Sequence, residues 1–332
     1  MPRNKIKEMK KEDLRIVFMG TPEFAVETLK ALVENDYHVV AVVTQPDKPV
    51  GRHQTEMQPS EVKKYALAHQ LPVLQPVKMK DPEFVEQLRA YQANLQVVVA
   101  FRMLPEVVWD MPQYGTFNVH AALLPQYRGA APINWAVIHG ETQTGVTTFF
   151  LDHDIDTGRI IIQKPFDIPE TANVEYVYDG LMHLGAEICL ETLQRIIAAD
   201  GHPESIPQEQ LIAAGKALHA APKIFKETCQ INWQQSAKKV YDFIRGLSPY
   251  PGAWTTLVSP DGKETVLKIF KTSRTGHASG QPGTTAVIDR KPCITAADEL
   301  LMIEELQLAG KKRMNGHDFL NGIKNFENYT IK

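Results

Sequence analysis

The sequence lacks the features of secreted proteins, of membrane proteins and of proteins stabilised by structural zinc. Its 3 cysteines, Cys189, Cys229 and Cys293, lie far apart and form no Cys-x-x-Cys pair, so we expect neither disulfides nor structural zinc. Apolar runs such as 97–101 fall far short of the ~20 residues of a membrane-spanning helix. Segment 1–13 is basic and polar, unlike a secretory signal. We therefore expect a cytoplasmic protein with reduced thiols and no membrane partner.

The sequence also has little net charge and no dinucleotide-binding fingerprint. The formal net charge is −3, but residues 1–218 carry 20 Lys and Arg against 28 Asp and Glu, whereas residues 219–332 carry 16 against 11. The second part alone has the charge sign that suits a polyanionic partner, although a solvated lysine-rich surface gives the same count. There is no Gly-x-Gly-x-x-Gly motif, internal repeat or low-complexity segment. A dinucleotide cofactor therefore has no support.

What the first two hundred residues do contain is an alternation of β-branched runs and helical stretches. This alternation is typical of a parallel sheet flanked by helices. Segment 15–19 runs into Gly20-Thr21-Pro22 and then into a helical apolar spacing, which is the entry of a Rossmann-like unit. A long amphipathic helix at 174–199 closes this part. The predicted strands are 15–19, 38–43, 73–74, 95–100, 116–120, 146–150 and 159–162.

The remaining residues have a different pattern of predicted secondary structure. After residue 218 the pattern is one helix, at 236–246, followed by short strands separated by Pro and Gly turns. Such a pattern predicts a small β-barrel of the OB-like kind that often binds oligonucleotides. The fold class is thus α/β, with a Rossmann-like, mostly parallel sheet domain followed by the barrel. The expected limits are a tail at 1–13, a first domain at 14–199, a linker at 200–218 and a barrel domain at 219–326.

Two short segments carry side chains suited to chemistry. Asn118 and His120 alternate along a predicted strand and therefore point to the same face at its end. Loop 151–158 brings Asp156 back beside a strand end. A polar strand end satisfied by its neighbours would give the same pattern. The several carboxylates of the loop do not follow the EF-hand spacing, so we expect no metal.

Further short segments, in order along both predicted domains, match a known family. They are 18–25, 44–49, 118–120, 123–125, 127–133, 156–158, 221–224, 251–255 and 310–314. On these segments the chain resembles the methionyl-tRNA formyltransferase family, from residue 14 to about residue 322. The resemblance implies that Asn118, His120 and Asp156 are catalytic. It implies 10-formyltetrahydrofolate as formyl donor and the methionine amino group of initiator tRNA as acceptor, in support of translation initiation.

The chemistry of formyl transfer fits these three side chains. The acceptor amine is largely unprotonated near neutral pH, so it needs positioning before it attacks the formyl carbon. Negative charge then develops on the formyl oxygen, where the Asn118 amide and the His120 ring can donate hydrogen bonds. Asp156 beside His120 can accept a proton directly or through water. We expect the enzyme to act as a monomer.

The resemblance also implies binding residues. The pterin pocket would use mostly backbone groups, and Phe101-Arg102 stands where relatives carry Tyr-Gly. Loop 45–64, basic in relatives, keeps four cations but has Gln54-Thr55-Glu56-Met57 where lysines are common. The implied folate-binding residues are Phe101, Arg102, Met103, Leu104, Leu124 and Pro125. The implied tRNA-binding residues are Lys48, Arg52, Arg128, Lys311, Lys312 and Arg313.

Two other functions compete with this one. Formyl transfer to a small amine, such as an amino-sugar nucleotide or glycinamide ribonucleotide, would use the same Asn, His and Asp, and the first domain alone does not separate the two. The basic segment 310–314 favours tRNA, since a small acceptor needs no extended cationic surface. An RNA-binding protein with a decayed site is the second alternative, and the intact Asn118, His120 and Asp156 argue against it.

Overall fold

The computed structural model describes residues 8–50, 56–212, 217–278 and 280–332. They form two compact units. The first comprises the described residues of Met1–Gly129, Thr144–Phe166 and Tyr178–Ala220. The second comprises Ala130–Gln143, Asp167–Val177 and the described residues of Ala221–Lys332. In these parts of the chain, no helix has the length and apolar character needed to cross a bilayer.

The elements up to residue 221 alternate between strands and helices, as the sequence predicted. Their bounds are β1 (Ile16–Gly20), α1 (Glu23–Glu34), β2 (Val39–Val43), β3 (Lys48–Val50), β4 (Glu56–Gln58), α2 (Glu61–Ala68), β5 (Val73–Leu74), α3 (Pro82–Ala90), β6 (Leu95–Val99), α4 (Glu106–Trp109), β7 (Thr116–His120), β8 (Arg128–Gly129), α5 (Pro132–Ile138), β9 (Gln143–Phe150), β10 (Ile160–Asp167), α6 (Val174–Ala198) and β11 (Ala220–Ala221).

The main sheet of the first unit has the order β10-β9-β7-β6-β1-β2-β5. Strands β1, β2, β5, β6 and β7 pair in parallel, and β9 joins β7 antiparallel. All residues of β1, β2 and β6 are buried, which suits a sheet covered on both faces. The chain proceeds outward from β1 in both directions, so the carboxyl ends of β1 and β6 flank a topological switch point where ligands bind in such sheets. The predicted Rossmann-like, mostly parallel fold is confirmed.

Most predicted strands coincide with observed ones to within one residue. The larger differences are at β9, which begins at Gln143, and at β10, which continues to Asp167. The residues beyond 162 in β10 are partly or fully exposed. The sequence therefore has no continuous apolar run there that would predict the rest of the strand.

The predicted linker, 200–218, is fixed to the first unit over its first half. Ile206 pairs with Ile160 in an antiparallel bridge, and Gln208–Leu211 form a 3-10 turn. Gln208 is fully buried there. The predicted tail also has local structure, because Lys11–Asp13 form a 3-10 turn and the Met9 backbone N–H donates to Asp200. Residues 1–7 of that tail lie outside the described part of the chain.

The second unit is built on an antiparallel sheet. Its elements after residue 221 are α7 (Ala237–Gly246), β12 (Ala253–Val258), β13 (Glu264–Ala278), β14 (Thr285–Ile288), β15 (Lys291–Thr295), β16 (Glu299–Leu308), β17 (Met314–Asn315), α8 (Gly316–Gly322) and β18 (Thr330–Ile331). Strand β12 alternates buried and half-exposed residues, the pattern of a strand with one face on a core. Helix α7 begins after Ser236, whose hydroxyl accepts from the Lys239 N–H.

This second sheet curls until its two edge strands meet. Its order is β14-β15-β16-β13-β12-β18, with β17 beside β16. An isolated bridge joins Thr284 to Thr330, and the Ile331 N–H donates to the Gly283 carbonyl. The curled sheet encloses a core that includes Trp233, which is 5% exposed. The result is a curled half-barrel. The prediction of an OB-like second domain is therefore confirmed.

Two segments from the middle of the chain fold with this second unit, where the sequence predicted continuous domains. Helix α5 packs on α7, where Asn134 donates to the Gly246 carbonyl at 2.9 Å. A Cβ on Gly246 would lie 2.6 Å from Ile138 Cγ1, so only glycine allows this approach. Arg245 donates to the Ala172 carbonyl at 2.8 Å. The apolar pattern of α5 is that of any helix and does not reveal which core it joins.

Candidate active site

Strand β7 presents the Asn118 and His120 side chains at its carboxyl end. The neighbouring Phe117 and Val119 are buried on the opposite face, at 0% and 2% exposure. Asn118 lies between Val98 of β6 and Phe149 of β9 in the sheet. His120 is 7% exposed. The alternation predicted from the sequence therefore places an amide and an imidazole together on one face.

The His120 ring is fixed by a backbone carbonyl. Its Nε2 lies 2.9 Å from the Tyr127 carbonyl oxygen, which can only accept, so Nε2 carries the proton in the neutral ring. Nδ1 is then the unprotonated nitrogen. It lies 3.9 Å from Asp156 Oδ2, and both side chains are largely buried. The ring therefore directs a basic nitrogen towards the carboxylate, and a protonated ring would form an ion pair with it.

Asp156 is held by its backbone conformation and by a neighbouring loop. Its φ is +56°, in the left-handed region that non-glycine residues rarely adopt. Its Oδ2 accepts a hydrogen bond of 2.9 Å from the Gly129 N–H. Two residues later, a Cβ on Gly158 would lie 1.6 Å from the Phe150 carbonyl oxygen. The loop therefore reaches its position only because residue 158 has no side chain.

One polar atom at the end of β7 is left unsatisfied. Asn118 Oδ1 is buried and has no hydrogen-bond partner among the described residues. Leaving such an atom unpaired costs about 1–3 kcal/mol, so an unpaired atom in a native protein calls for a physical reason. A ligand polar group at this end of the strand would supply the missing partner.

The residues implied for folate binding differ in their exposure. Leu104 and Leu124 are buried at 7% and 2%, and Leu124 packs against Phe149 and Ile160. Phe101 packs partly buried against the β1–β6 core, while Met103 is 70% exposed. Pro125 is buried as well. Because the leucine side chains belong to cores, these positions could contact a ligand mainly through their backbone.

Arg102 turns its guanidinium onto the protein's own backbone. It donates to the Val77 carbonyl at 2.9 Å and also to the Pro76 carbonyl. Desolvation by burial lowers the pKa of its guanidinium. Ala100, just after β6, has φ +47°, so the chain turns sharply at this strand end. Arg102 thus ties the end of β6 to residues 76–77.

Two of the four cations of loop 45–64 are paired within the loop. Lys63 Nζ lies 2.7 Å from Asp47 Oδ2, and Lys64 Nζ lies 2.6 Å from Glu61 Oε1. The hydrogen bond from Lys63 lowers the pKa of the Asp47 carboxyl, and a second one from Gln75 adds to this. Lys48 is exposed on β3 and forms no ion pair with any described residue. Arg52 lies outside the described residues.

Arg128 forms hydrogen bonds with another residue of the first unit, Gln208. Its Nε and Nη2 both donate to Gln208 Oε1, at 3.0 and 2.7 Å. Gln208 was not among the predicted site residues, because it lies in the segment that resembled a plain linker. The sequence offered no signal for it beyond a glutamine after Pro207.

The cations of segment 311–313 lie at the turn from β16 to β17. Lys311 and Lys312 are exposed and form no ion pair with described residues. Arg313 pairs with Glu305 and lies over the Phe270 ring, 4.3 Å from its centroid. Arg313 also borders a cavity of about 830 Å³ in the second unit. The other arginines of this cavity, Arg245 and Arg274, pair with Asp242 and Glu299.

In the aspartate-rich loop between β9 and β10, the Asp152 carboxylate accepts hydrogen bonds from other residues of the loop. Asp152 Oδ1 accepts from Thr157 Oγ1 at 2.7 Å and from the Asp154 N–H at 3.2 Å. Within residues 8–50, 56–212, 217–278 and 280–332, no group of three or more His, Cys, Asp or Glu side chains is arranged to hold a metal ion.

Comparison with known proteins identifies the family. The model "Formyl transferase" matches residues 14–193, and "Formyl transferase, C-terminal domain" matches residues 223–324. A protein of Parabacteroides distasonis named methionyl-tRNA formyltransferase is 58% identical over 325 residues, which are 97% of this chain and 100% of that protein. The chain belongs to the methionyl-tRNA formyltransferase family. A relative of the same name from Bacteroides fragilis is 56% identical over 98% of this chain and 99% of its own length.

More distant solved structures share the fold of this family member. HypX from Aquifex aeolicus, crystallised with tetrahydrofolic acid, has a TM-score of 0.59 at 20% identity and covers 94% of this chain. This chain spans about half of HypX, 47% of its length. An N-formyltransferase from Helicobacter canadensis, in complex with folinic acid and dTDP-3-aminofucose, has a TM-score of 0.61 at 19% identity and covers 91% of this chain and 100% of its own.

Proposed function

We propose that this enzyme transfers the formyl group of 10-formyltetrahydrofolate to the amino group of methionine on initiator tRNA, and so supports translation initiation. The observation that carries the proposal is the 3.9 Å approach of His120 Nδ1 to Asp156 Oδ2 beside Asn118, on the face where β7 ends. The full-length relationship to proteins named for this reaction supports the choice of acceptor.

Asn118 would stabilise the charge that develops during attack. When the amine nitrogen bonds to the formyl carbon, the carbonyl oxygen becomes an oxyanion that needs hydrogen-bond donors. The Asn118 amide can donate one of them, and its buried, unpaired oxygen can accept from the attacking amine. Removing one oxyanion donor typically costs roughly 10²- to 10³-fold in rate.

His120 and Asp156 would move the proton. The attacking nitrogen loses a proton as the new carbon–nitrogen bond forms, and the folate nitrogen gains one as its bond to the formyl carbon breaks. His120 Nδ1 can take and return that proton, since Nε2 already donates to the Tyr127 carbonyl. The Asp156 carboxylate beside Nδ1 stabilises the imidazolium formed between the two steps. No net proton is then released by the transfer.

The binding residues that the resemblance implies are kept in this proposal, and the exposure and partners of those that the structure describes support part of the assignment. We assign the donor's pterin to the backbone of residues 101–104 and to Leu124-Pro125. We assign phosphate contacts on tRNA to Lys48, Arg52 and the cations of segment 311–313. Among these residues, Lys48, Lys311 and Lys312 have no acidic partner in the part of the chain that the structure describes. Arg128, also implied for tRNA, uses two of its donor groups on Gln208 and so has fewer left for a phosphate.

The cytoplasmic location and the monomeric state also belong to this proposal, and the thiols agree with a compartment where no disulfide forms. All three cysteines are free and buried. Burial raises the pKa of the Cys293 thiol to about 11 and raises that of Cys189 further. Neutral, buried thiols are slow to oxidise, which agrees with a role as core residues.

The test is to mix the purified protein with 10-formyltetrahydrofolate and one acceptor at a time, following loss of the donor and formylation of the acceptor. The acceptors are methionine-charged initiator tRNA, glycinamide ribonucleotide and a dTDP-linked amino sugar. We expect turnover only with the charged tRNA. Turnover with a small amine and none with the tRNA would refute the proposal.

A further inference from the structure

We infer that Gln208 and Arg128 act as a two-residue clamp that positions Asp156 for proton transfer. The clamp lies wholly in the first unit, and Gln208 belongs to the segment that the sequence presented as a linker. The inference rests on the proposed function, because it assigns positioning residues to the same reaction.

Gln208 connects the loop after Asp156 to the rest of the unit. It is fully buried, and its Nε2 donates to the Asp156 carbonyl at 2.8 Å and to the Gly158 carbonyl at 2.9 Å. Both amide hydrogens therefore act on the backbone that carries the catalytic carboxylate. A buried amide with both hydrogens satisfied fixes its partners, since losing either bond would leave a buried polar group unpaired.

Arg128 determines which way the Gln208 amide faces. A guanidinium has donors only, so the amide atom bonded to both Nε and Nη2 must be the oxygen. The amide nitrogen must then face the two carbonyls. With the opposite orientation, donors would face donors at Arg128 and acceptors would face acceptors at the loop. Arg128 thus makes the orientation of Gln208 unambiguous.

The same chain segment also holds the Asp156 side chain. Gly129, next to Arg128, donates its N–H to Asp156 Oδ2 at 2.9 Å. Asp156 is therefore held at two points, its carboxylate by Gly129 and its carbonyl by Gln208, and both points lead back to residues 128–129. This closed set of bonds fixes the direction in which the carboxylate leaves the backbone.

Asp156 needs such a hold because of its surroundings. Its left-handed backbone is disfavoured for a non-glycine residue and persists only where neighbours impose it. The preceding loop residues, 152–155, are all exposed, with Ile155 at 58%. No core packing of those side chains restrains the loop. The hydrogen bonds from Gln208 and Gly129 restrain Asp156 itself, in addition to the bonds that Asp152 accepts from Thr157 and Asp154 within the loop.

The primary test compares Gln208→Ala with Arg159→Ala. Arg159 is exposed and bonds Ser205 through its Nε at 2.9 Å, so it ties the same 200–212 segment to the residue just before β10, and no hydrogen bond or ion pair joins it to Asp156. We expect Gln208→Ala to lower kcat by ~10- to 100-fold, as misplacement of a catalytic group does, with the KM for tRNA and folate changing less than about threefold. Arg159→Ala should keep kcat within about twofold of the wild type.

A double-mutant cycle separates positioning from general destabilisation. Arg128→Met should lower kcat nearly as much as Gln208→Ala, and the double variant should be little worse than either. Arg128→Lys, which retains a donor for Gln208 Oε1, should recover much of the loss. Gln208→Glu keeps an acceptor for Arg128, and adds an ion pair with it, but turns an oxygen towards the two carbonyls, so it should lose kcat although the contact with Arg128 is retained.

These measurements distinguish the clamp from the proposed function. If the wild type does not formylate charged initiator tRNA, the proposed function fails. If the wild type is active and Gln208→Ala keeps its kcat within twofold, the clamp is refuted. The clamp is also refuted if Arg159→Ala loses as much kcat as Gln208→Ala at an equal drop in melting temperature. Should Gln208→Ala not fold, the Gln208→Glu and Arg128→Lys pair decides by the same criteria.

Discussion

Single side chains at the end of β7 provide the geometry on which the proposed proton transfer depends. His120 has one ring nitrogen bound to a carbonyl and the other directed at a carboxylate, so the ring exchanges protons at one nitrogen only. The sequence predicted the shared face of Asn118 and His120, because strand alternation is local. It could not predict the clamp, because the burial of Gln208 depends on a Pro-containing segment folding back onto a distant loop.

The charge of Asp156 can be tested separately from its position. Asp156→Asn keeps an oxygen for the Gly129 N–H but removes the negative charge. We expect turnover to fall by ~10²- to 10⁴-fold with an unchanged circular dichroism spectrum and melting temperature. Asp154→Asn, at an exposed position in the same loop, is the matched control and should stay active. A folded and fully active Asp156→Asn enzyme would remove Asp156 from the mechanism.

Gly158 tests whether the Asp156 loop depends on close approach to β9. A Cβ at residue 158 would overlap the Phe150 carbonyl oxygen, and this atom belongs to the backbone and cannot swing away. We expect Gly158→Ala to lower the free energy of unfolding by about 3 kcal/mol or more. Gly185 lies in α6, and a Cβ there would meet its nearest atom at 3.4 Å, an ordinary contact distance. Gly185→Ala should therefore raise the free energy of unfolding by roughly 0.5–1 kcal/mol. Urea denaturation of both variants decides, and equal stabilities would contradict this account.

At the scale of helices and strands, the sequence predicted the positions of the elements better than the structural unit to which each element belongs. The strands at 73–74 and 116–120 and the helix beginning at residue 174 were located closely, since apolar periodicity is a property of each element. The assignment of α5 and of residues 167–177 to the second unit was missed. That assignment depends on contacts with α7 that are distant along the chain, such as Ala172 with Arg245, 73 residues apart, and Asn134 with Gly246, 112 residues apart, and no local pattern encodes them.

The packing of α7 makes a prediction about buried charge. Arg245 and Asp242 are 6% and 4% exposed, with Nε and Oδ1 2.8 Å apart, while Lys238, with a side chain 40% exposed, also contacts Asp242. Asp242→Ala leaves a buried arginine without its counter-ion, which should cost about 3–5 kcal/mol of stability. Lys238→Ala removes only an exposed partner and should cost about 0–1 kcal/mol. Thermal unfolding of the two variants measures the difference, and a similar loss in both would show that Arg245 is not dependent on Asp242.

Over the whole molecule, charge is distributed unequally, and the structure refines what that means. Some cations of residues 219–332 are paired locally, because Arg245, Arg274 and Arg313 each pair with a nearby acid of the same region. Lys311 and Lys312 remain available at an exposed turn. A count of charges gives only the net sign of this region and leaves a polyanionic partner and a solvated surface open, while the structure separates the paired cations from those with no acidic neighbour among the described residues.

This separation predicts how tRNA binding responds to salt. The double substitution Lys311→Ala and Lys312→Ala should weaken binding of charged initiator tRNA and flatten the plot of log Kd against log salt concentration by about one unit for each phosphate that is no longer neutralised. The double substitution Lys263→Ala and Lys332→Ala changes the net charge equally, and Lys332 already pairs with Glu264. We expect this control to leave the slope nearly unchanged in filter-binding titrations between 50 and 200 mM salt, roughly the range over which phosphate contacts are resolved. If both double variants flatten the slope equally, tRNA senses only the overall charge of the enzyme, and the contact assigned to the β16–β17 turn is wrong.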